Sequence, residues 1–269
     1  MDIRYLEQDN GSVTVLSTGG LLLVNGNAHW ELSTAGDSIY YNGIVSDASG
    51  QITGGKIGGL LDLREETLPQ YRANLDEMAG TLIQRVNGLH AAGYDLAGNS
   101  GYDFFTDFQA APGLPNTGDY SGAASYLSLS ADVLGHPEKI AAGSVSGAPG
   151  DNGNALAIAA LQTDGTLSIR KWTVADRGAS RASSAQTGTL DGYYQDLVGE
   201  LGILAEDTYQ GQDFTQTLIN GLQEVRDSVS GVNLDEELTE MMKAQHAYEA
   251  ASKIISVTDQ MMQTLLSLR

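Results

Sequence analysis

The sequence has no cysteine among its 269 residues, which excludes a disulfide, a thiol nucleophile and any cysteine-ligated metal. Positive charge is scarce: 14 Lys and Arg stand against 34 Asp and Glu, a formal net charge of −20. A surface of that sign repels nucleic acid phosphates and anionic lipid, so neither nucleic acid nor membrane is expected as a partner. No apolar run approaches the roughly 20 residues that a membrane-spanning helix needs. The opening residues, MDIRYLEQDNG, lack the basic stretch followed by an apolar one that marks a cleaved signal peptide. Any export is therefore expected by a route that cleaves none. What the chain does have is 41% hydrophobic residues and 33 glycines, the composition of a folded protein rich in turns.

Patterning divides the chain into five stretches. Residues 1–53 read as a β-rich segment: apolar runs at Ile3 to Leu6 and Val13 to Leu16 flank Asn10-Gly11, a dipeptide suited to the positive φ of a hairpin turn. The theme repeats around Asn25-Gly26-Asn27, and Ile39, Tyr40 and Tyr41 add a further strand. Residues 54–92 read as a long helix with an apolar stripe at Leu68, Tyr71, Leu75, Met78, Leu82 and Leu89, interrupted by Arg85. Pro69 predicts a kink or break near its start, and Gly93 predicts a left-handed cap at its end.

Residues 93–189 lose the helical period and read as a loop- and strand-rich region. Strands are expected at Tyr126 to Leu129 and at Leu167 to Ile169, a hairpin turn at Asp164-Gly165, and a short buried helix from Ala155 to Leu161. Residues 178–188, rich in Ser and Ala, read as a loop. Residues 190–230 form a second long helix, with apolar heptad steps at Leu190, Tyr194, Leu197, Leu201 and Leu204 that resume at Leu218, Leu222, Val225 and Val229. Thr208 to Thr215, with Gly211 between them, predicts a bend.

Residues 231–269 form a last helix. Asn233 is its expected N-cap, Glu236 completes a capping box, and the acids from Asp235 to Glu237 suit the positive end of the helix dipole. The stripe reads Met241, Ala244, Tyr248, Ala251, Ile255, Thr258, Met262 and Leu265, with Glu249 and Lys253 paired on another face. The fold class is α+β: long amphipathic helices forming a bundle or coiled-coil rod, with a β-rich domain.

The residues with chemical potential do not assemble into a site. A di-iron bundle uses Glu-x-x-His, but the residue three before His246 is Lys243, a cation that opposes a metal. Gly36-Asp37-Ser38-Ile39 resembles an esterase nucleophile block, yet no histidine has Asp three positions earlier. Ser168-Ile169-Arg170-Lys171 spells Ser-x-x-Lys in an expected strand. The glycines between Gly54 and Gly59 lack the spacing of a phosphate loop and read as a helix entrance. Asp95 to Asp103 resembles a calcium loop but places Ala97 where an oxygen ligand belongs. No catalytic, cofactor or metal residue is expected.

Two blocks carry a resemblance. GVNLDEELTEMMKAQHAYEAASKIISVTDQMMQTLLSL resembles the C-terminal signature of the bacterial flagellar axial proteins. GGKIGGLLDLREETLPQYRANLDEMAGTLIQRVN, followed by GYDLAGNSGYDFF, is similar to the hook-associated proteins of the hook–filament junction, and so are HPEKIAAGSVSGAPGDNGNALAIAALQ and TLDGYYQDLVGELG. The resemblance covers roughly residues 50–269. It implies a non-enzymatic structural protein, extracellular in the flagellum, secreted through the flagellar type III apparatus, whose terminal helices pack into an inner tube. The partners it implies are other copies of the chain, the hook protein, adjacent hook-associated proteins and a cytoplasmic export chaperone. Carried onto this chain, the assembly and chaperone surface is Leu234, Leu238, Met241, Ala244, Tyr248, Ala251, Ile255, Met262 and Leu265. The family begins with its own N-terminal helices, whereas this sequence starts in a β segment, so it is expected to be the C-terminal portion of a member. Two alternatives stand beside this reading. One is another axial protein such as the hook protein; the other is a secreted hydrolase with carboxylate catalysis.

Overall fold

The computed structural model describes residues 1–42, 44–107, 120–230 and 234–267. It is an α+β chain whose contacts fall into two units, Met1–Glu200 and Leu201–Arg269.

In the first unit, β1 (Ile3–Glu7), β2 (Val13–Ser17), β3 (Leu22–Asn25) and β4 (Ala28–His29) form an antiparallel sheet in sequence order. Asn10-Gly11 turns the first hairpin: Gly11 takes φ +76°, and the Ser12 N–H donates to Asn10 Oδ1 at 2.9 Å. A second antiparallel sheet joins β5 (Leu32–Ala35), β6 (Ser38–Tyr41) and β7 (Ile44–Asp47), with Gly36-Asp37 as the turn between β5 and β6. The Asp-Ser pair of the esterase-like block is therefore a hairpin. Leu21, Ala48, Ile52 and Leu61 form the core beneath these sheets, with Met1, Leu32, Ile39 and Tyr41 packed against it.

The glycine-rich stretch opens α1 (Gly55–Asp62). Gly55 sits at φ +67°, and a Cβ there would lie 2.7 Å from the Met1 backbone. Glycine is needed because the N-terminal strand passes directly over this helix start, with the Asp2 N–H donating to Gly54 O at 3.1 Å. After α1 comes one π-helical turn, Leu63–Thr67, and then α2 (Leu68–Ala92). The break expected at Pro69 is this turn. A proline ring collides with the carbonyl four residues back, here Glu65, and a wider turn relieves that without ending the helix.

Helix α2 buries the face opposite to expectation. Of the predicted stripe, Leu68 and Leu75 are exposed and Tyr71, Met78, Leu82 and Leu89 only half-buried. The buried side chains are Asn74, Asp76, Glu77, Thr81, Asn87 and His90, beside Ala73, Ala79, Ile83 and Val86. The reason is that α2 is covered by loops and a hairpin that present backbone polar groups, and polar side chains satisfy those groups where leucines cannot. Asn74 donates to Trp172 O at 3.1 Å and accepts its N–H at 2.6 Å; Asn87 holds Phe105 in the same two-bond manner, at 2.9 and 2.8 Å. Asp76 accepts the N–H groups of Gly122 and Ala124 at 2.8 and 3.0 Å. Glu77, 3% exposed, accepts from Arg170 Nε at 2.8 Å and Trp172 Nε1 at 3.2 Å. At the C-terminal end Gly93 is extended, with φ −84°, not left-handed; a Cβ there would lie 2.1 Å from Asn154 Nδ2, so close approach is what requires glycine.

Beyond α2 the described residues are mostly turns around two short helices, α3 (Ala123–Tyr126) and α4 (Gly153–Ala160). Tyr126 closes α3, so the strand expected at Tyr126 to Leu129 reduces to a single bridge between Leu129 and Phe105. The predicted short helix exists as α4, but Leu156 is 61% exposed and only Asn154 is buried. Two strands follow, β8 (Leu167–Ala175) and β9 (Ser180–Gly188), paired over nine positions. β9 replaces the loop expected at 178–188. Its small polar residues carry no apolar alternation, and the ladder to β8 alone specifies it. The turn is Asp176-Arg177-Gly178, whereas Asp164 caps the approach to β8 by accepting the Thr166 N–H at 2.9 Å. Arg177 anchors this turn, donating from Nε to Asp62 at 2.6 Å and from its terminal nitrogens to Ser49 O and Ile52 O at 2.5 and 2.7 Å.

Thr189 caps α5 (Leu190–Ser230) through its hydroxyl, which accepts the Gly192 N–H at 2.9 Å. The first turns of α5 belong to the first unit: Tyr193 and Leu197 pack with Leu167, Ile169, Met78 and Leu190. The Tyr193 hydroxyl donates toward Arg170 O at 2.9 Å; burial, then the nearby charges of Glu77 and Glu200, push its pKa well above the usual tyrosine value. The second unit comprises the rest of α5, unbroken through Gly211, and α6 (Leu234–Ser267).

Candidate assembly interface

Helix α6 begins at Leu234 with Asp235, Glu236 and Glu237 in its first turn, where carboxylates offset the positive end of the helix dipole. The expected N-cap, Asn233, and the side chain of Leu234 lie outside the described residues. A helix of this length runs about 50 Å at 1.5 Å per residue. The stripe residues Leu238, Met241, Ala244, Tyr248, Ala251, Ile255, Met262 and Leu265 line it at heptad spacing.

All of these residues are exposed, Tyr248 at 74% and Ile255 at 64%. So is every other described side chain from 235 to 267, and every one from 201 to 229. Neither helix buries a residue on the other. The structure places the stripe residues together on one helix, exposed along its described length. Full burial of a Leu, Ile or Met side chain is worth roughly 1.5–3 kcal/mol, and helices without tertiary contacts are marginal in water. Two such helices carry apolar stripes that nothing within their described length buries.

The surface is larger than the expected set. On α6, Ile254, Val257, Met261 and Leu266 are also exposed and broaden the stripe; on α5, Leu201, Leu204, Leu218, Leu222 and Val225 form a second one. The heptad steps of α5 were the sequence signal for these positions. That signal leaves open whether the partner helices lie in this chain or in a neighbouring one.

No group of His, Cys, Asp and Glu able to hold a metal occurs among the described residues. Lys243 pairs with Glu240 at 2.7 Å, and His246 Nδ1 faces Glu249 at 3.7 Å. Ser168 and Lys171 lie on β8, with Lys171 paired to Glu200. The Asp95 carboxylate is occupied by its own loop: it accepts the Ala97 and Asn99 N–H groups at 2.8 and 2.7 Å and Asn99 Nδ2 at 3.1 Å. Slight desolvation opposes ionisation there, but these bonds outweigh it and hold the pKa below the usual aspartate value. No helix among the described residues is long and apolar enough to cross a membrane.

Comparison with known proteins gives the family. Residues 1–105 match the family described as the flagellar hook-associated protein FlgK helical domain. Residues 226–268, which span α6, match the flagellar basal body rod FlgEFG protein C-terminal family. Flagellar hook-associated protein 1 of Bacillus subtilis (strain 168) is 31% identical over 199 residues, covering 74% of this chain and 35% of that protein. The protein of the same name from Escherichia coli (strain K12) is 23% identical over 329 residues, covering 97% of this chain and 60% of its own length. The chain thus spans less than two thirds of either relative. A solved structure of the flagellar hook junction protein FlgK from Burkholderia pseudomallei, 31% identical, overlaps 39% of this chain and 22% of that one with a TM-score of 0.34. From the FlgK helical-domain match at one end, the axial C-terminal match at the other and the hook-associated relatives, the chain belongs to the family of FlgK-type flagellar hook-associated proteins.

Proposed function

We propose that this chain is a structural subunit of the hook–filament junction of the bacterial flagellum and performs no catalysis. The observation that carries the reading is α6, an apolar heptad helix of which every described side chain is exposed. Its match to an axial C-terminal family supports a role in assembly. In this reading residues 54–92 and 190–230 build a helical rod, and residues 231–269 are the assembly segment. Neighbouring copies, the hook protein and adjacent hook-associated proteins cover the stripe from Leu234 to Leu265 in the flagellum. A cytoplasmic export chaperone covers it beforehand, and the protein leaves through the flagellar type III apparatus.

Tyr248→Asp and Ile255→Asp each place a charge in the stripe, and burying an unpaired carboxylate is costly. Chaperone binding measured by calorimetry should weaken by at least about tenfold, since 1.4 kcal/mol already corresponds to that factor. The variant subunits should also be depleted from purified hook–filament junctions. Binding and incorporation at wild-type levels would sink the proposal. So would robust turnover of peptidoglycan or glycans that a single Asp or Glu substitution abolishes.

A further inference from the structure

With 34 acidic residues against 14 basic ones, carboxylates are at hand for most cations of this chain. In the first unit Arg64, Arg170, Lys171 and Arg177 face Glu65, Glu77, Glu200 and Asp62. Two guanidinium groups without a carboxylate meet in one cleft of about 770 Å³. Its walls are α2, through Pro69, Arg72 and Asp76; α3, through Tyr126; and the β8–β9 hairpin, through Val174 and Arg181. On α2 these positions follow steps of three and four, so one helix face builds one wall. Both carboxylates that line the cleft are taken. Asp76 accepts the N–H groups of Gly122 and Ala124, and Glu65 accepts from Arg64. Arg72 and Arg181 are exposed and have no carboxylate partner among the described residues.

Arg181 is held in place without an anion. Its guanidinium carbon lies 4.5 Å from the centre of the Trp172 ring. Trp172 is itself fixed, by Asn74 at its backbone and by Glu77 at its indole nitrogen. A guanidinium stacked on an aromatic face still offers the N–H donors at its edge, a fork that matches a carboxylate. Because the ring limits its freedom, less rotamer entropy is lost when an anion binds. Arg170 shares the Trp172 ring at 5.5 Å, but its charge is already matched by Glu77. Arg72 supplies the second free charge from α2.

The size and lining of the cleft favour a protein segment. Its volume falls in the roughly 300–1,000 Å³ range of ligand clefts, and Pro69, Val174 and Tyr126 give it apolar surface that an inorganic anion does not use. Charge decides whose segment it is. Copies of a chain with net charge −20 repel one another side by side unless carboxylates of one meet cations of the next. We infer that this cleft takes a carboxylate-bearing segment of a second copy of the chain, with Arg72 and Arg181 gripping its acidic side chains. The inference rests on the proposed assembly of neighbouring copies, and it adds a polar contact on the first unit to the apolar one on α6.

Arginine Nε–H signals in NMR spectra of the isotope-labelled full chain test this in solution, without a flagellum. As unlabelled chain is added, the signals of Arg72 and Arg181 should shift together and saturate, while that of the anchored Arg177 stays. Arg72→Gln combined with Arg181→Gln should lower the affinity between copies at least about tenfold. Should that variant not fold, salt gives the same reading on the wild type. Raising it from about 0.1 M to about 1 M cuts the screening length from about 10 Å to about 3 Å and should reverse both shifts. Tyr248→Asp alters the α6 stripe and not the cleft, so the two shifts should persist in it whether or not that stripe proves to be an assembly surface. Arginine signals unmoved by added chain, or copies of the double variant associating as strongly as wild type, would overturn the inference. So would sodium phosphate saturating the signals at the same concentration as the chain, which marks a small-anion site. Purified hook protein shifting signals that a second copy leaves unmoved would give the cleft another occupant and overturn it as well.

Discussion

Gly80 and Gly88 occupy the same helix, eight residues apart, and the same substitution should move stability in opposite directions at the two sites. In a helix interior alanine is preferred over glycine by roughly 0.5–1 kcal/mol, because glycine loses more backbone entropy on folding. At Gly88 a Cβ meets nothing within 4 Å, so Gly88→Ala should gain about that amount. At Gly80 a Cβ would lie 2.3 Å from Tyr120 Cγ, 2.6 Å from its Cβ and 2.7 Å from Cδ2. These atoms are the root of the ring, not a flexible tip. Tyr120 is further held by its hydroxyl bond to Gln84 at 2.5 Å and packs on Ala79, Ile83 and Ala123. Overpacking of that kind costs about 1–3 kcal/mol, which exceeds the propensity gain. Gly80→Ala should therefore be about 1 kcal/mol less stable than wild type, and about 2 kcal/mol below Gly88→Ala. Urea unfolding followed by tryptophan fluorescence reports it, since Trp172 sits on the same helix face through Asn74 and Glu77. In a Tyr120→Ala background Gly80→Ala should lose its penalty. Two variants that shift the same way, or a penalty unchanged without Tyr120, would refute the close-approach argument.

Glu77→Gln keeps an acceptor for Trp172 Nε1 but removes the charge that Arg170 faces at 2.8 Å; the loss should be about 2 kcal/mol in the same unfolding assay, and an unchanged midpoint would contradict it. Asp151 is held down to about 2, first by the Gly153 N–H and then by the hydroxyl and N–H of Ser144. A depressed carboxylate stabilises its loop above its ordinary titration range, so cleavage of the loop at 144–153 by an acid-active protease should stay constant down to about pH 4 and rise as pH falls toward about 2. Asp151→Asn should make the loop labile at neutral pH. Because Tyr248 and Ile255 are exposed, replacing either with Asp should leave thermal unfolding of the isolated chain within about 0.5 kcal/mol of wild type, so that any loss of binding comes from the surface itself.

The parts of this protein that could be read before folding are those set by local chemistry. Asn10-Gly11 makes its hairpin because the turn needs a positive φ, and the acids after Leu234 mark a helix start through the dipole. The heptads of α5 and α6 follow from the helical repeat, and the exposed stripe from Leu238 to Leu265 lies where that repeat puts it. β9 was invisible because small polar residues carry no alternation, and the strand exists only through its ladder to β8.

Helix α2 shows the limit most clearly. Its apolar stripe predicted one buried face, yet the helix turns Asn74, Glu77, Asn87 and His90 inward. Sequence alone settled that this stretch is a long helix and that α5 and α6 carry apolar stripes, because backbone propensity and side-chain spacing are local properties. Which face of each helix is covered was decided by the tertiary structure, because coverage depends on what distant segments offer. Around α2 they offer unpaired backbone groups that only polar side chains satisfy; along α6 the described side chains all remain exposed.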